Sequence, residues 1–203
     1  QVTITDDDAS PLLTIAGTGA VEGDQLVYTV TRNGASEFTT SVDYAVTPDP
    51  GTEAADIAVG VDPLSGTVSI APGAGSATIS VLAVDDAIHE PAEVVRTELS
   101  NPVNGALNPI GGNFALASIA ASDAPVVFNI DNQNVTETDA NVPLVFTVTK
   151  VGLTEFASSV EYDAIAGTAV TPADYAAGVD PLSGTLNFAA GDTQRTISLT
   201  LVG

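Results

Sequence analysis

Cysteine, methionine and tryptophan are absent from this 203-residue chain, and basic residues are nearly so. Without cysteine there is no disulfide scaffold and no thiolate metal or redox site. Only Arg32, Arg96, Lys150 and Arg195 oppose 26 carboxylates, for a formal net charge of −22. Four cations cannot form the basic footprint that nucleic acid requires, and an anionic membrane surface repels so acidic a chain. The single histidine, His89, leaves no imidazole set of the kind that zinc or copper selects. No run approaches the length of a membrane-spanning helix, and no secretory leader is present between Gln1 and Gly203.

Acidity does not here mean disorder. Hydrophobic residues make up 44% of the chain, and they alternate with polar ones. The stretch GVDPLSGT at 60–67 returns unchanged at 178–185, an offset of 118 residues. The same offset aligns Leu26–Thr31 with Leu144–Thr149 and Ser41–Tyr44 with Ser159–Tyr162. A self-similar period of this size decides the architecture: the chain is a tandem array.

Within each copy the period is two. Leu26, Tyr28 and Val30 alternate with smaller or polar residues, as do Val42, Tyr44 and Val46. The runs are short, rich in Val, Ile and Thr, and bounded by Gly, Pro, Asn or Asp, which is the signature of strands. The reading for copy one is seven strands, near 12–17 (A), 25–32 (B), 39–47 (C), 67–71 (D), 76–84 (E), 93–100 (F) and 114–121 (G). The expected fold is all-β, a tandem of seven-stranded antiparallel, immunoglobulin-like β-sandwiches. Residues 1–8 match the end of copy one and are expected to be the last strand of a preceding repeat. Residues 9–125 form a complete repeat. Residues 126–203 form a repeat that carries strands A to E and lacks its last two, with about four extra residues in its A–B turn. The array is expected to continue past Gly203 through an Asp-rich E–F turn and an LSNP-like strand end, unless another chain supplies those strands. GVDPLSGT joins C to D, with Pro63 pre-setting a turn torsion and Gly66 supplying a positive φ.

Strand parity places the acids. If strand A runs upward, the A–B, C–D and E–F connections and the end of G all lie at the top. That end of copy one collects Glu22, Asp56, Asp85, Asp86, Glu90 and Asp123, from four separated segments. Like charges held this close repel unless a cation intervenes. Oxygen-only donors on loops suit a hard divalent ion, and Ca²⁺ accepts six to eight of them.

The motifs VEGD (21–24), GTAVTPADY (167–175), PLSGTLNFAAGD (181–192), DDAIHEPAE (85–93), LSNP (99–102) and VTITDDD (2–8) resemble the Calx-β repeat family across essentially the whole chain. That family occurs in the calcium-regulatory segment of sodium–calcium exchangers, in an integrin subunit and in large bacterial surface or secreted proteins. The resemblance implies a seven-stranded sandwich whose calcium-sensing members hold a cluster of Ca²⁺ ions at one end. It assigns the six acids above as ligands and adds Asp6, Asp7 and Asp8 of the preceding copy. In copy two it adds Glu137 and Asp174. The acidic triplet becomes Ala121-Ser122-Asp123 in copy one, which implies fewer or weaker ions there.

These features favour a calcium-binding structural module of an extracellular, cell-surface or secreted adhesin-like or filament protein, with Ca²⁺ stiffening the array. Its partners are then neighbouring repeats, or further copies assembled by strand complementation, without nucleic acid and without membrane insertion in this segment. A calcium-sensing segment of a larger membrane protein is the alternative, and an accessory module of a secreted enzyme a distant one. No catalytic set is found. His89 stands alone as a base, and the acids lack the aromatic platforms of a glycosidase. Asn134-Val135-Thr136 spells a glycosylation sequon, which matters only in a host that reads it.

Overall fold

The computed structural model describes residues 9–203, so the strand expected over 1–8, with Asp6, Asp7 and Asp8, lies outside the described residues. Among these residues no helix is long and apolar enough to cross a membrane. Two compact units form, one from residues up to 86 together with 91–122, the other from 87–90 together with 123–203.

The first unit begins with β1 (Leu12–Thr18), β2 (Ala20–Val21), β3 (Gln25–Asn33), β4 (Thr40–Pro48), β5 (Ile57–Ala58), β6 (Ser65–Ile70) and β7 (Ser76–Ala83). After β8 (Ile88–His89), which belongs to the second unit, come β9 (Glu93–Val103), β10 (Ala106–Leu107) and β11 (Phe114–Ala120). One sheet runs β10-β1-β3-β7-β5 and the other β2-β11-β9-β4-β6. The seven long strands fall where the alternation places A to G. The sheets are nonetheless five-stranded each, because the two-residue strands β2, β5 and β10 pair at sheet edges. Leu26, Tyr28 and Val30 of β3 turn inward and are fully buried against Val42, Ile79, Val81, Val95 and Ile119. Each such side chain contributes about 1.5–3 kcal/mol of burial free energy.

The second unit contains β12 (Val127–Ile130), β13 (Val142–Val151), β14 (Leu153–Thr154), β15 (Ser158–Asp163), β16 (Tyr175–Ala177), β17 (Ser183–Phe188) and β18 (Gln194–Leu201). Its main sheet is β12-β13-β18-β16, with β15 paired to β17 and β14 paired in parallel to β8. Phe128 faces Lys150 as Leu13 faces Arg32. The offset is therefore 115 residues at the first strand and 118 at the next, so three residues are inserted in the A–B turn rather than about four.

The inward face of β3 ends in a cation, and so does its counterpart. Arg32 is buried and donates from Nη1 to Phe38 O and Thr40 Oγ1, and from Nη2 to Ala71 O and Ala74 O. Lys150, equally buried, donates to Ala189 O and Ala190 O. Both tie a hairpin to the sheet through backbone carbonyls.

The duplicated octapeptide has a structural role. Asp62 Oδ2 accepts the Ser80 amide at 2.9 Å, and Asp180 Oδ2 accepts that of Ser198 at 2.8 Å. Gly60 and Gly178 run so close to the adjoining strand that a Cβ would lie 2.8 Å from Leu82 N or 2.7 Å from Ser198 O. Gly66 is not in the positive-φ region expected of it; it lies within β6, beneath the ring of Tyr44. Its missing Cβ makes room for that ring, whose hydroxyl donates to Pro63 O.

On the exposed face, Asp43 accepts hydrogen bonds from Thr67 Oγ1 (2.6 Å) and Asn101 Nδ2 (3.1 Å). The Thr67 bond first, and the Asn101 bond second, hold its carboxyl below the usual range. A depressed folded-state value gives stability that is present above the unfolded pKa of about 3.9 and lost as pH falls through the folded one. Calorimetry from pH 6 to pH 3 is expected to show the wild type melting above Asp43→Asn at the upper end and the difference closing at the lower.

Candidate metal site

The first-repeat acids are placed by short-range backbone geometry. β2 runs parallel to the end of β11, pairing Ala20 with Ile119 and Val21 with Ala120, so the chains leave side by side. Glu22 N–H then donates to Ala120 O, and Ser122 N–H donates to Glu22 Oε2 at 3.1 Å. Gly23, at φ +85°, turns the chain so that its amide reaches Ala83 O at the end of β7. Asp85 follows two residues later and lies against Gly23, where a Cβ would be 3.4 Å from Asp85 Cβ.

Ser122 Oγ stands 2.8 Å from Glu22 Oε2 and 3.1 Å from Asp85 Oδ1. A hydroxyl has one proton to donate, so it serves one of these carboxylates at a time. Glu22 and Asp85, both in the first unit, each offer an oxygen within 4.8 Å of the other, and Asp123 is next to Ser122 in the chain. Asp123 Oδ2 is buried and has no hydrogen-bond partner. Two oxygens bound to one Ca²⁺ at about 2.4 Å each are separated by at most about 4.8 Å, so the spacing fits a shared hard cation.

Asp56 and Glu93, also both in the first unit, meet on the same criterion. Asp56 sits just before β5, its carbonyl accepting Val84 N–H and its Oδ2 accepting Glu53 N–H at 2.6 Å. Thr52 Oγ1 both donates to Val94 O and accepts Val94 N–H, which fastens this loop to the start of β9. Glu90 and Glu93 are buried. Glu93 was not among the residues singled out from the sequence. It begins β9 on the inward-facing parity of Val95, Thr97 and Leu99, and that parity was the available signal.

Of the six acids of copy one, Glu22 and Asp85 come together and Asp56 joins Glu93; Asp86 belongs to neither group, and Glu90 and Asp123 fall in the second unit. In copy two, Asp174 Oδ2 accepts Val170 N–H, and Glu137 is exposed; neither belongs to a group among the described residues. His89 Nδ1 lies 2.9 Å from Asp123 O, a contact in which the ring must donate, so it braces the backbone of a candidate ligand. The basic side chains are engaged elsewhere: Arg32 and Lys150 on carbonyls, Arg195 with Asp192, and Arg96 over the Phe114 ring beside Glu98.

A two-sheet all-β repeat with carboxylates gathered on its connections is the kind of module that the sequence describes twice. The Calx-beta domain model matches residues 6–124 and again 121–203, and the chain belongs to that family. CBD12 from CALX1.2 is similar over 93% of this chain and 74% of that one, at 20% identity and a TM-score of 0.47. The calcium binding domain CBD12 of CALX1.1 is similar over 93% and 76%, at 22% identity and a TM-score of 0.47. The apo-form Calx CBD1 domain matches 54% of this chain and 98% of its own length, at 21% identity and a TM-score of 0.44. No curated protein sequence matches the chain significantly.

Proposed function

We propose that the first repeat binds Ca²⁺ through Glu22, Asp85 and Asp123, with Asp56, Glu90 and Glu93 as a second set. The observation that carries this reading is the buried, unpartnered Asp123 Oδ2, in the residue that follows Ser122 in the chain. Leaving such an oxygen without a proton donor or cation costs about 1–3 kcal/mol or more. With the protein's own cations engaged elsewhere, the missing charge comes from solution. Asp86 serves as an outer acid, Glu137 and Asp174 would act at the equivalent end of the second repeat, and Asp6, Asp7 and Asp8 at that of a preceding one. The ion's contribution is cohesion: it draws together the turn after β2, the segment after β7 and the residues after β11.

The setting is a structural, non-catalytic module of an extracellular surface or secreted protein. Strong acidity, no cysteine and tandem copies support it. Calcium then restricts motion along the array, which small-angle scattering with and without EDTA would detect as a change in maximum dimension. Identical curves would remove the stiffening role while leaving ion binding to be measured separately.

Ser122 tunes the site. It occupies the middle of the position where residues 6–8 read Asp-Asp-Asp, and its hydroxyl bridges the acids at no charge. Calcium affinity rises with the count of ligand charges. Ser122→Asp is therefore expected to tighten calcium binding about tenfold, equivalent to about 1.4 kcal/mol, while lowering the melting temperature in EDTA. Unchanged affinity in a calcium titration would place the ion elsewhere.

A further inference from the structure

We infer that Asn33 is a site of spontaneous deamidation, where the Gly34 nitrogen displaces the side-chain amide as ammonia and leaves aspartate or isoaspartate. The reaction needs an asparagine amide free to swing, followed by a residue with no Cβ to shield its nitrogen. Asn-Gly occurs twice in the chain, as Asn33-Gly34 and Asn104-Gly105, each followed by alanine. As sequence the two are equivalent; the fold separates them.

Asn33 is the last residue of β3 and sits in the terminal pair of the β1–β3 ladder, opposite Leu12. Its side chain is exposed and, among the described residues, makes no hydrogen bond. Gly34 follows at φ +114° and is exposed as well. The end of a ladder and the turn beyond it open at little cost, so the side chain can reach the Gly34 nitrogen. Asn104 is also exposed, but it is held on both sides. Its Nδ2 donates to Thr39 O at 3.0 Å, and its main-chain O accepts Thr40 Oγ1 at 3.1 Å. Gly105 is wedged where a Cβ would lie 2.9 Å from Thr40 Cγ2, and Ala106 N–H is anchored on Pro11 O. These ties must break before a ring can close there.

The turn itself does not require the asparagine. At the counterpart position the second unit has Val151-Gly152, with Gly152 at φ +99°. A Cβ on Gly152 would lie 3.4 Å from Val126 Cα, as one on Gly34 would lie 3.3 Å from Pro11 Cα. The second repeat keeps the turn and has no amide to lose.

The chemistry uses only water. Gly34 N bonds to Asn33 Cγ as the Cγ–Nδ2 bond breaks, and the proton lost from Gly34 N leaves with the departing nitrogen as ammonia. The succinimide then adds one water. Opening at Cγ gives aspartate; opening at the main-chain carbonyl gives isoaspartate and lengthens the backbone by one methylene. That insertion falls directly after Arg32, whose guanidinium holds Phe38 O and Thr40 Oγ1. No electrons are exchanged, and either product carries a new carboxylate.

For the test, the full chain is aged in mildly alkaline buffer, with and without denaturant, and then cleaved at Arg96. Asn33 is the only asparagine before that cut, so the two sites fall on separate peptides. Isoaspartate is read by labelled methyl transfer from S-adenosylmethionine with an isoaspartyl methyltransferase, and total conversion by mass. In the folded chain Asn33 is expected to react at least about tenfold faster than Asn104, a barrier difference of about 1.4 kcal/mol. In denaturant the two rates should converge. Asn33→Val, the residue of the second unit, and Asn33→Gln, whose ring would need six members, should each remove the fast reaction while melting like wild type. Four results would overturn the inference: no conversion at Asn33, equal or faster conversion at Asn104 in the folded chain, a rate gap that persists in denaturant, or a fast reaction that survives both substitutions.

Discussion

In calcium at a hundredfold excess over its dissociation constant, the first unit is expected to gain about 2.7 kcal/mol relative to EDTA. For about a hundred residues this is a rise of roughly 10 °C in melting temperature. Magnesium should do less, because it demands near-octahedral geometry and surrenders its water reluctantly. Glu22→Gln combined with Asp85→Asn removes two of the three carboxylates around Ser122 while keeping an acceptor oxygen at each position. The pair should abolish most of the calcium increment. In EDTA it should melt slightly above wild type, since like charges no longer face one another. Retention of the full increment would mean that calcium acts by general screening or through other acids.

A second large effect is expected at a residue far from any ligand. Arg32→Met removes the donors to Phe38 O, Thr40 Oγ1, Ala71 O and Ala74 O in a buried setting. Each acceptor left unsatisfied costs about 1–3 kcal/mol. A net loss of about 3 kcal/mol, or roughly 10–20 °C in the first unit's transition, follows. Arg32→Lys should recover more than half of it. The second repeat places Lys150 at this position with two carbonyl partners, and Arg32 Nε is itself without a partner, so little is lost there. Differential scanning calorimetry of the three proteins checks the order; equal melting of Arg32→Met and wild type would mean the hairpin needs no such tie.

Alternation revealed the long strands because each buries one face, and a period of two leaves few registers. It could not reveal β2, β5 or β10, whose two residues carry no period at all. Parity sends Glu22 and Asp85 to one end of the first unit, where they meet. It works at the level of whole connections, however, and cannot resolve which side of a loop an acid faces. Asp56 accordingly meets Glu93 rather than Glu22. Glu93 is the first residue of a strand, so a search of the connections passes it by. Ser122 replaces an acid of the triplet, yet its hydroxyl lies within hydrogen-bond reach of two remaining acids. The octapeptide runs from the C–D connection into β6. The fit of Gly66 beneath a tyrosine is a packing relation between β4 and β6, invisible in a local dipeptide rule.

Calcium bound through Asp123 is read directly by isothermal titration of the full chain. Asp123→Asn replaces one oxygen of the pair that includes the unpartnered Oδ2 and removes the charge, with His89 still able to donate to the unchanged carbonyl. One calcium-binding event in the wild-type isotherm is expected to weaken at least about tenfold in this variant, a loss of about 1.4 kcal/mol or more. An isotherm with the same stoichiometry and affinity as wild type would mean that calcium is not held by Asp123.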